Sequence, residues 1–230
     1  MKFEPLSEIE INAYKVMQKY MKKLKHFDLN TILPICYRIL GSKYSETEIT
    51  KAVNTLIQKR YFIQGTSLTK DEISSNRVRQ KILHFIQRNP GAYNRLIRRE
   101  LNLGSNEFNW HMGMLEKFGF TKKIQYNRSF GYFENKTYMN HEFDLFLLQN
   151  DKIKLIIDFL KDHNATLSQV AKTLDMHYST VQKHLQILEE RSLVLTELTN
   201  NGKHKYYTVN DDLLIKLQKI INGQVFIEFA

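Results

Sequence analysis

The stretch that decides the fold is Ala165-Thr166-Leu167-Ser168-Gln169-Val170-Ala171-Lys172-Thr173-Leu174, Asp175-Met176, then His177-Tyr178-Ser179-Thr180-Val181-Gln182-Lys183-His184-Leu185-Gln186-Ile187-Leu188-Glu189-Glu190. Val170, Ala171 and Leu174 give a short helix one apolar face, and Val181, Leu185 and Leu188 do the same for a helix over His177 to Arg191. Asp175-Met176 fits the turn between them. Upstream, Ile153, Ile156, Ile157 and Leu160 recur at helical spacing and predict a helix over about 151–162. Downstream, Leu193-Val194-Leu195-Thr196 and Lys205-Tyr206-Tyr207-Thr208-Val209 are β-prone. They flank Asn200-Asn201-Gly202-Lys203, a strong hairpin signal. Asp211 or Asp212 is placed to cap a closing helix carrying Leu213, Leu214, Leu217 and Ile220.

The order helix, helix, helix, hairpin, helix is that of a winged helix-turn-helix. The middle third repeats it. Arg77 to Arg88 is helical, with Val78, Ile82, Phe85 and Ile86 inward, and Asn89-Pro90-Gly91 stops it. Tyr93 to Leu101 forms a second helix. Ser105 or Asn106 caps a third that runs to about Phe118. Phe120 to Tyr126 and Tyr132 to Tyr138 are the wing strands, with Asn127-Arg128-Ser129-Phe130-Gly131 as the turn. Leu115-Glu116 precedes Leu188-Glu189 by 73 residues, and His111 precedes His184 by the same 73. A period that long means tandem domains rather than a solenoid.

The first third follows the pattern less closely. Glu8 to Lys25 reads as a long helix with Ile11, Tyr14, Met17, Met21 and Leu24 on one face. Leu29 to Leu40 reads as a second, interrupted at Pro34. Ser45-Glu46-Thr47-Glu48 is a capping box that opens a third, with Ile49, Val53 and Leu56 inward. Tyr61-Phe62-Ile63 would begin a wing strand that has no evident partner. The expected fold class is therefore mainly α with small β-hairpin wings, in tandem winged helix-turn-helix domains. The expected domains are 1–75 (helical, degenerate winged-helix-like), 76–150 and 151–230.

The net charge of +10 suggests an acidic partner, most economically nucleic acid. The charge is uneven: +4 over 1–75, +6 over 76–150 and zero over 151–230. Long-range attraction to a polyanion should centre on the middle third. No apolar run approaches the roughly 18 residues a membrane span needs. Met1-Lys2-Phe3-Glu4-Pro5 carries no signal-peptide core. The single cysteine, Cys36, excludes an intrachain disulfide framework and a Cys-rich zinc site. A soluble, cytoplasmic protein without cofactor is expected.

A helix-turn-helix acts through the exposed side of its third helix, which lies in the major groove. In the last domain that side offers Tyr178, Ser179, Thr180, Gln182 and Lys183. Gln182 suits adenine, and Lys183 suits phosphate or guanine. In the middle domain the matching positions are Asn106, Glu107, Asn109 and Trp110. Asn109 suits adenine, and Trp110 is expected to be buried against a neighbouring element. Glu46 and Glu48 open the first domain's third helix and repel DNA, so that domain is expected to support packing or dimerisation. Lys122, Lys123, Asn127 and Arg128 cluster at one wing, and Lys203, His204 and Lys205 at the other. Arg95, Arg98 and Arg99 lie on the middle domain's second helix. These cations suit sequence-independent backbone contact.

Ala165 to Ala171 together with Ser179 to Glu190 resembles the ArsR-like winged-helix regulators. Asn89-Pro90-Gly91, Asn109-Trp110-His111 and Leu115-Glu116-Lys117-Phe118-Gly119-Phe120 resemble the related domains of archaeal tandem winged-helix regulators. The resemblance covers about residues 76–210. It implies transcriptional control, usually as a homodimer; a contact with the transcription machinery is a further expected partner. Carried over residue by residue, it implies DNA contacts at Ser179, Thr180, Gln182 and Lys183, and at Asn106 and Asn109. His111 and His184 match a family histidine read here as structural. Metal-sensing relatives use paired cysteines, which this chain lacks, so no metal site is expected at the His177 and His184 pair.

No phosphate loop, Gly-x-Ser-x-Gly or His-Glu-x-x-His pattern is present, so no enzyme is expected. The leading function is a sequence-specific double-stranded DNA-binding transcriptional regulator. The alternatives are a winged-helix protein-interaction scaffold and a nonspecific architectural DNA-binding protein. If the chain is a dimer, the Glu8–Lys25 helix is the first expected interface and the Asp211–Asn222 helix the second.

Overall fold

The computed structural model describes residues 5–24, 26–126, 129–136, 138–199, 202 and 204–222. The structure is mainly helical, with small antiparallel sheets. No described helix is long and apolar enough to cross a membrane. The chain divides into two compact units. One is drawn from residues 1–81 and 106–120, the other from 82–105 and 121–230.

The first unit is built on α1 (Glu8–Met21), α2 (Leu29–Leu40) and α3 (Glu46–Gln58). Capping boxes open α1 at Ser7/Glu10 and α3 at Ser45/Glu48, each satisfying two otherwise orphaned backbone donors. The core contains Met17, Ile32, Cys36, Val53 and Phe62, all fully buried. Burial pushes the Cys36 thiol up to about 11, so it stays protonated.

Four expectations change in this unit. First, α1 ends at Met21, and Lys25 lies outside the described residues. Second, α2 continues through Pro34. The carbonyl that loses its helical donor belongs to Asn30, an exposed residue of the first turn where that loss is cheap. Third, Tyr61-Phe62-Ile63 forms no strand. Phe62 instead packs its ring 5.5 Å from that of Phe27. Fourth, Met17 and Met21 belong to this core, at 0% and 4% exposed, and offer no surface for a dimer. The exposed positions of α1 include Glu8, Ile11, Lys15 and Lys19, largely charged.

A short helix, α4 (Lys70–Ser75), follows, with its own capping box at Thr69/Glu72. Then come α5 (Arg77–Arg88), α6 (Asn94–Leu101) and α7 (Ser105–Lys117). Most of α7 belongs to the first unit. Arg60 donates from Nη1 to the carbonyls of Glu116 and Lys117 at 3.1 and 3.2 Å, closing the end of that helix.

In the second unit, β1 (Thr121–Tyr126) pairs antiparallel with β2 (Ser129–Glu134) from Thr121↔Glu134 to Tyr126↔Ser129. The second wing strand thus starts before the expected Tyr132 and stops before Tyr138. An unforeseen helix, α8 (Glu142–Leu147), precedes α9 (Asp151–Asp162). A short strand β3 (Ala165–Thr166) opens α10 (Leu167–Thr173), and α11 (Tyr178–Glu190) follows. The hairpin is β4 (Val194–Leu198) with β5 (Lys205–Val209), in strand order β3-β5-β4. The cap of α12 (Asp211–Ile221) is Asn210 rather than Asp211 or Asp212. Its side chain accepts from Leu213 N at 3.2 Å. Ile156, Leu160, Val170, Val181, Leu185 and Leu217 share one core with Leu145 of α8.

The repeat has a backbone counterpart. Ala92 bridges Tyr132 in β2, and Ala165 pairs with Tyr207 in β5. Ala92 and Ala165 stand 73 residues apart, the period of the helical motif. In each case the residue before the N-cap of the second helix of a triplet is stitched to the last strand of the hairpin.

Candidate nucleic-acid interface

The interface expected from the sequence divides by unit. In the second unit, α11 turns Val181, Leu185 and Leu188 into the core. Helical geometry then turns Ser179, Gln182 and Lys183 away from that side, and all three are exposed; Tyr178, three residues before Val181, is exposed at the first turn. Thr180 is half-buried. His177 caps the helix by accepting from Ser179 N at 3.3 Å, and its Nδ1 lies 2.7 Å from Ser179 Oγ. Ser179 is thereby oriented at the first turn, where unpaired N–H groups and the helix dipole favour an anion.

The cations of this unit differ in their freedom. Arg95 is exposed. Arg98 is half-buried, with Nε 3.4 Å from the Leu103 carbonyl. Arg99 pairs with Glu100 at 2.9 Å and stands 3.9 Å from Asp151. Lys122 is half-buried against Glu142 at 2.8 Å. Lys123 is exposed, with its ammonium 4.0 Å from the Phe130 ring centre. Lys205 does not project freely. Its Nζ reaches both Glu189 oxygens, at 2.6 and 2.7 Å, and ties β5 to α11. His204 is exposed. Arg128, Lys203, Asn127, Asn200 and Asn201 lie outside the described residues.

In the first unit, Asn106 and Asn109 are exposed on α7. Trp110 is not buried as expected. It is 55% exposed, and the Arg79 guanidinium sits 4.9 Å from its ring centre. Phe108, Met112 and Leu115 take the inward positions of α7, which leaves Trp110 facing out. His111 is 6% exposed, and burial, then the Arg79 charge, lowers its pKa. That fits a structural role.

Sequence reasoning missed the surroundings of α11. Its C-cap residue, Arg191, donates to Asp144 of α8 at 2.7 Å, and Asp144 is 2% exposed. Lys183 and His184 also face a cleft shared with α8 and β1. The visible signal was the aromatic Glu142-Phe143-Asp144-Leu145-Phe146-Leu147 segment, too short to assign by periodicity.

No family model matches the chain. An uncharacterized HTH-type transcriptional regulator of Methanocaldococcus jannaschii is 27% identical over 147 residues, which is 64% of this chain and 37% of that protein. The chain therefore spans little more than a third of that relative's length. A chain from a structure of the ESCRT-II endosomal trafficking complex aligns over 88% of both chains at 13% identity, with a TM-score of 0.24, too low to indicate a shared fold. The chain is thus distantly similar to a helix-turn-helix transcriptional regulator, over the larger part of its own length.

Proposed function

We propose that the chain is a sequence-specific regulator that binds double-stranded DNA through tandem winged helix-turn-helix domains, residues 76–150 and 151–230. The observation that carries this reading is the exposed, polar face of α11. Tyr178, Ser179, Gln182 and Lys183 are presented on a helix whose other side is locked into the core. No acidic side chain stands among them, which suits a surface that enters a groove lined by phosphates. The matching stitches at Ala92 and Ala165 support the tandem arrangement, and the distant relative supports DNA-binding control.

In this reading Gln182 and Lys183 reach base edges, with Thr180 beside them, while Tyr178 and Ser179 take the backbone. Arg95 and Lys123, both exposed, supply charge toward the DNA backbone, and His204 adds a polar side chain at the wing. Asn106 and Asn109 of α7 read a second segment. Arg98, Arg99, Lys122 and Lys205 are held by internal partners and contribute less. Homodimerisation is assigned to α12, where Ile215 is 54% exposed. The ArsR-like character and a contact with the transcription machinery belong to the same reading.

Selection from random duplex DNA, followed by titration at two salt concentrations, tests it. A defined motif is expected, and the triple change Thr180→Ala, Gln182→Ala, Lys183→Ala should erode preference for it. Salt-steep binding without a motif would replace regulation with an architectural role. No binding at low salt would sink the DNA reading.

A further inference from the structure

Within the second unit, β1, β2, α8, α9 and α11, with Tyr93 just before α6, line an open cleft of about 1030 Å³. That is the scale of small-molecule sites, which combine apolar walls with a few convergent polar groups. One wall is aromatic. The rings of Tyr126 and Phe146 are stacked with centroids 4.6 Å apart, and Phe143 lies 4.9 Å from Tyr126. The wall is fixed from behind. The Phe146 backbone lies so close to Gly91 that a Cβ there would meet it at 2.7 Å. Gln149 also donates to the Pro90 carbonyl at 3.2 Å.

The polar side of the cleft is cationic. Lys152 and Lys183 both line it, and neither has a carboxylate partner among the described residues. The carboxylates nearest the aromatic wall are already matched, Glu142 by Lys122 and Asp144 by Arg191. Asp151 lines the cleft with Arg99 3.9 Å away. Burial, then the charges of Lys152 and Lys183, holds the His184 imidazole below its usual pKa, so it is neutral at pH 7. Burial, then the charges of Glu142 and Asp144, pushes the Tyr126 phenol up to about 12, leaving it a neutral hydrogen-bonding group.

We propose that this cleft binds a small organic anion with a planar aromatic body, its ring against Tyr126 and Phe146 and its charge between Lys152 and Lys183. The coupling to DNA rests on the function proposed above. Lys183 belongs both to the cleft and to the exposed face of α11, so an occupied cleft withdraws one cation from the DNA-facing set. Ligand and DNA then oppose each other by the same factor in both directions.

The full chain is first titrated without DNA, using naphthalene-2-carboxylate and its neutral counterpart 2-naphthalenemethanol, by calorimetry. The carboxylate should bind at least roughly tenfold tighter than the alcohol, as a charge-assisted contact implies. Lys152→Gln, an exposed change, should weaken the carboxylate by about tenfold and leave the alcohol unchanged. Ser129→Trp, at an exposed strand position, should block both by filling the cleft. Circular dichroism checks that each variant folds. No carboxylate binding up to about 5 mM, equal affinity for the alcohol, or unchanged binding to Ser129→Trp overturns the site. The selected duplex is then titrated with and without saturating carboxylate, and a weaker DNA affinity is expected. Unchanged DNA affinity overturns the coupling. Carboxylate binding without any duplex binding retains the site and removes the DNA reading. Duplex binding without carboxylate binding does the reverse.

Discussion

Arg191, which closes α11, donates from Nε to Oδ1 of Asp144 at 2.7 Å, while His141 Nδ1 lies 2.8 Å from the other oxygen. The pair couples the last turn of α11 to α8. It is unequal: the Asp144 side chain is 2% exposed and that of Arg191 is 38% exposed. Removing Arg191 takes the guanidinium from a buried carboxylate and leaves it the His141 contact, whereas removing the Asp144 charge leaves an arginine that can turn to water. Arg191→Met is expected to cost about 3 kcal/mol and Asp144→Asn about 1–2 kcal/mol. Urea unfolding measures both. An equal or reversed order would show that the pair is not controlled by the burial of Asp144.

Gly91→Ala should be among the most damaging single changes in the second unit. Gly91 has φ of +86°, and an added Cβ would lie 2.7 and 2.8 Å from the Phe146 Cα and N. Neither atom can yield without moving α8. Left-handed strain and the backbone clash together should cost about 3 kcal/mol or more. Thermal melting of the variant reads this directly.

The Glu189–Lys205 tie should give a pH signature and a salt signature. The bond from Lys205 holds the Glu189 carboxyl below its usual 4.5. Its contribution is therefore complete above pH 4.5 and lost as pH falls through the lower folded value. The Lys205 ammonium is raised above 10.5 by the same bond, so its contribution is lost only on the alkaline side. Both groups are about a third exposed, so the pair contributes less than about 1 kcal/mol. Glu189→Gln should flatten the acid limb of the stability profile. Because Lys205 is already neutralised, Lys205→Ala should barely change the salt slope of DNA binding. Arg95→Ala and Lys183→Ala should each lower it by about one.

Trp110 is the sole tryptophan, and at 55% exposed it reports on α7. Its emission should be red-shifted and readily quenched by acrylamide. In the tandem reading, saturating duplex shifts or quenches that emission. An unchanged spectrum at saturation would confine DNA to α11.

The oligomeric test moves from α1 to α12. Met17→Glu places a charge at a fully buried position and is expected to unfold the first unit rather than dissociate a dimer. Ile215→Glu, on the exposed side of α12, should leave each chain folded and halve the sedimenting mass of a dimer. An unchanged mass in a confirmed dimer removes α12 as the interface.

The sequence by itself determined the helices and their inward faces, because a 3.6-residue period of apolar side chains leaves few other ways to bury them. Val181, Leu185 and Leu188 were legible for that reason, as were Ile153, Ile156, Ile157 and Leu160. The β4–β5 hairpin was legible from its turn residues and alternation. The same periodicity identified the outward positions Gln182 and Lys183 by elimination. Tertiary structure alone decided what periodicity does not encode. Trp110 faces solvent because Phe108, Met112 and Leu115 take the inward positions of its helix. Lys205 and Lys122 are held by Glu189 and Glu142, acidic partners 16 and 20 residues away in the chain. Helix α8 is six residues long, too short to carry a period, and exists through its packing beside Gly91 and its pairing with Arg191. The cleft beside Lys183 follows from those long-range contacts. Local propensity specifies a side chain's element and face, but only the folded chain sets the neighbours that hold or free its charge.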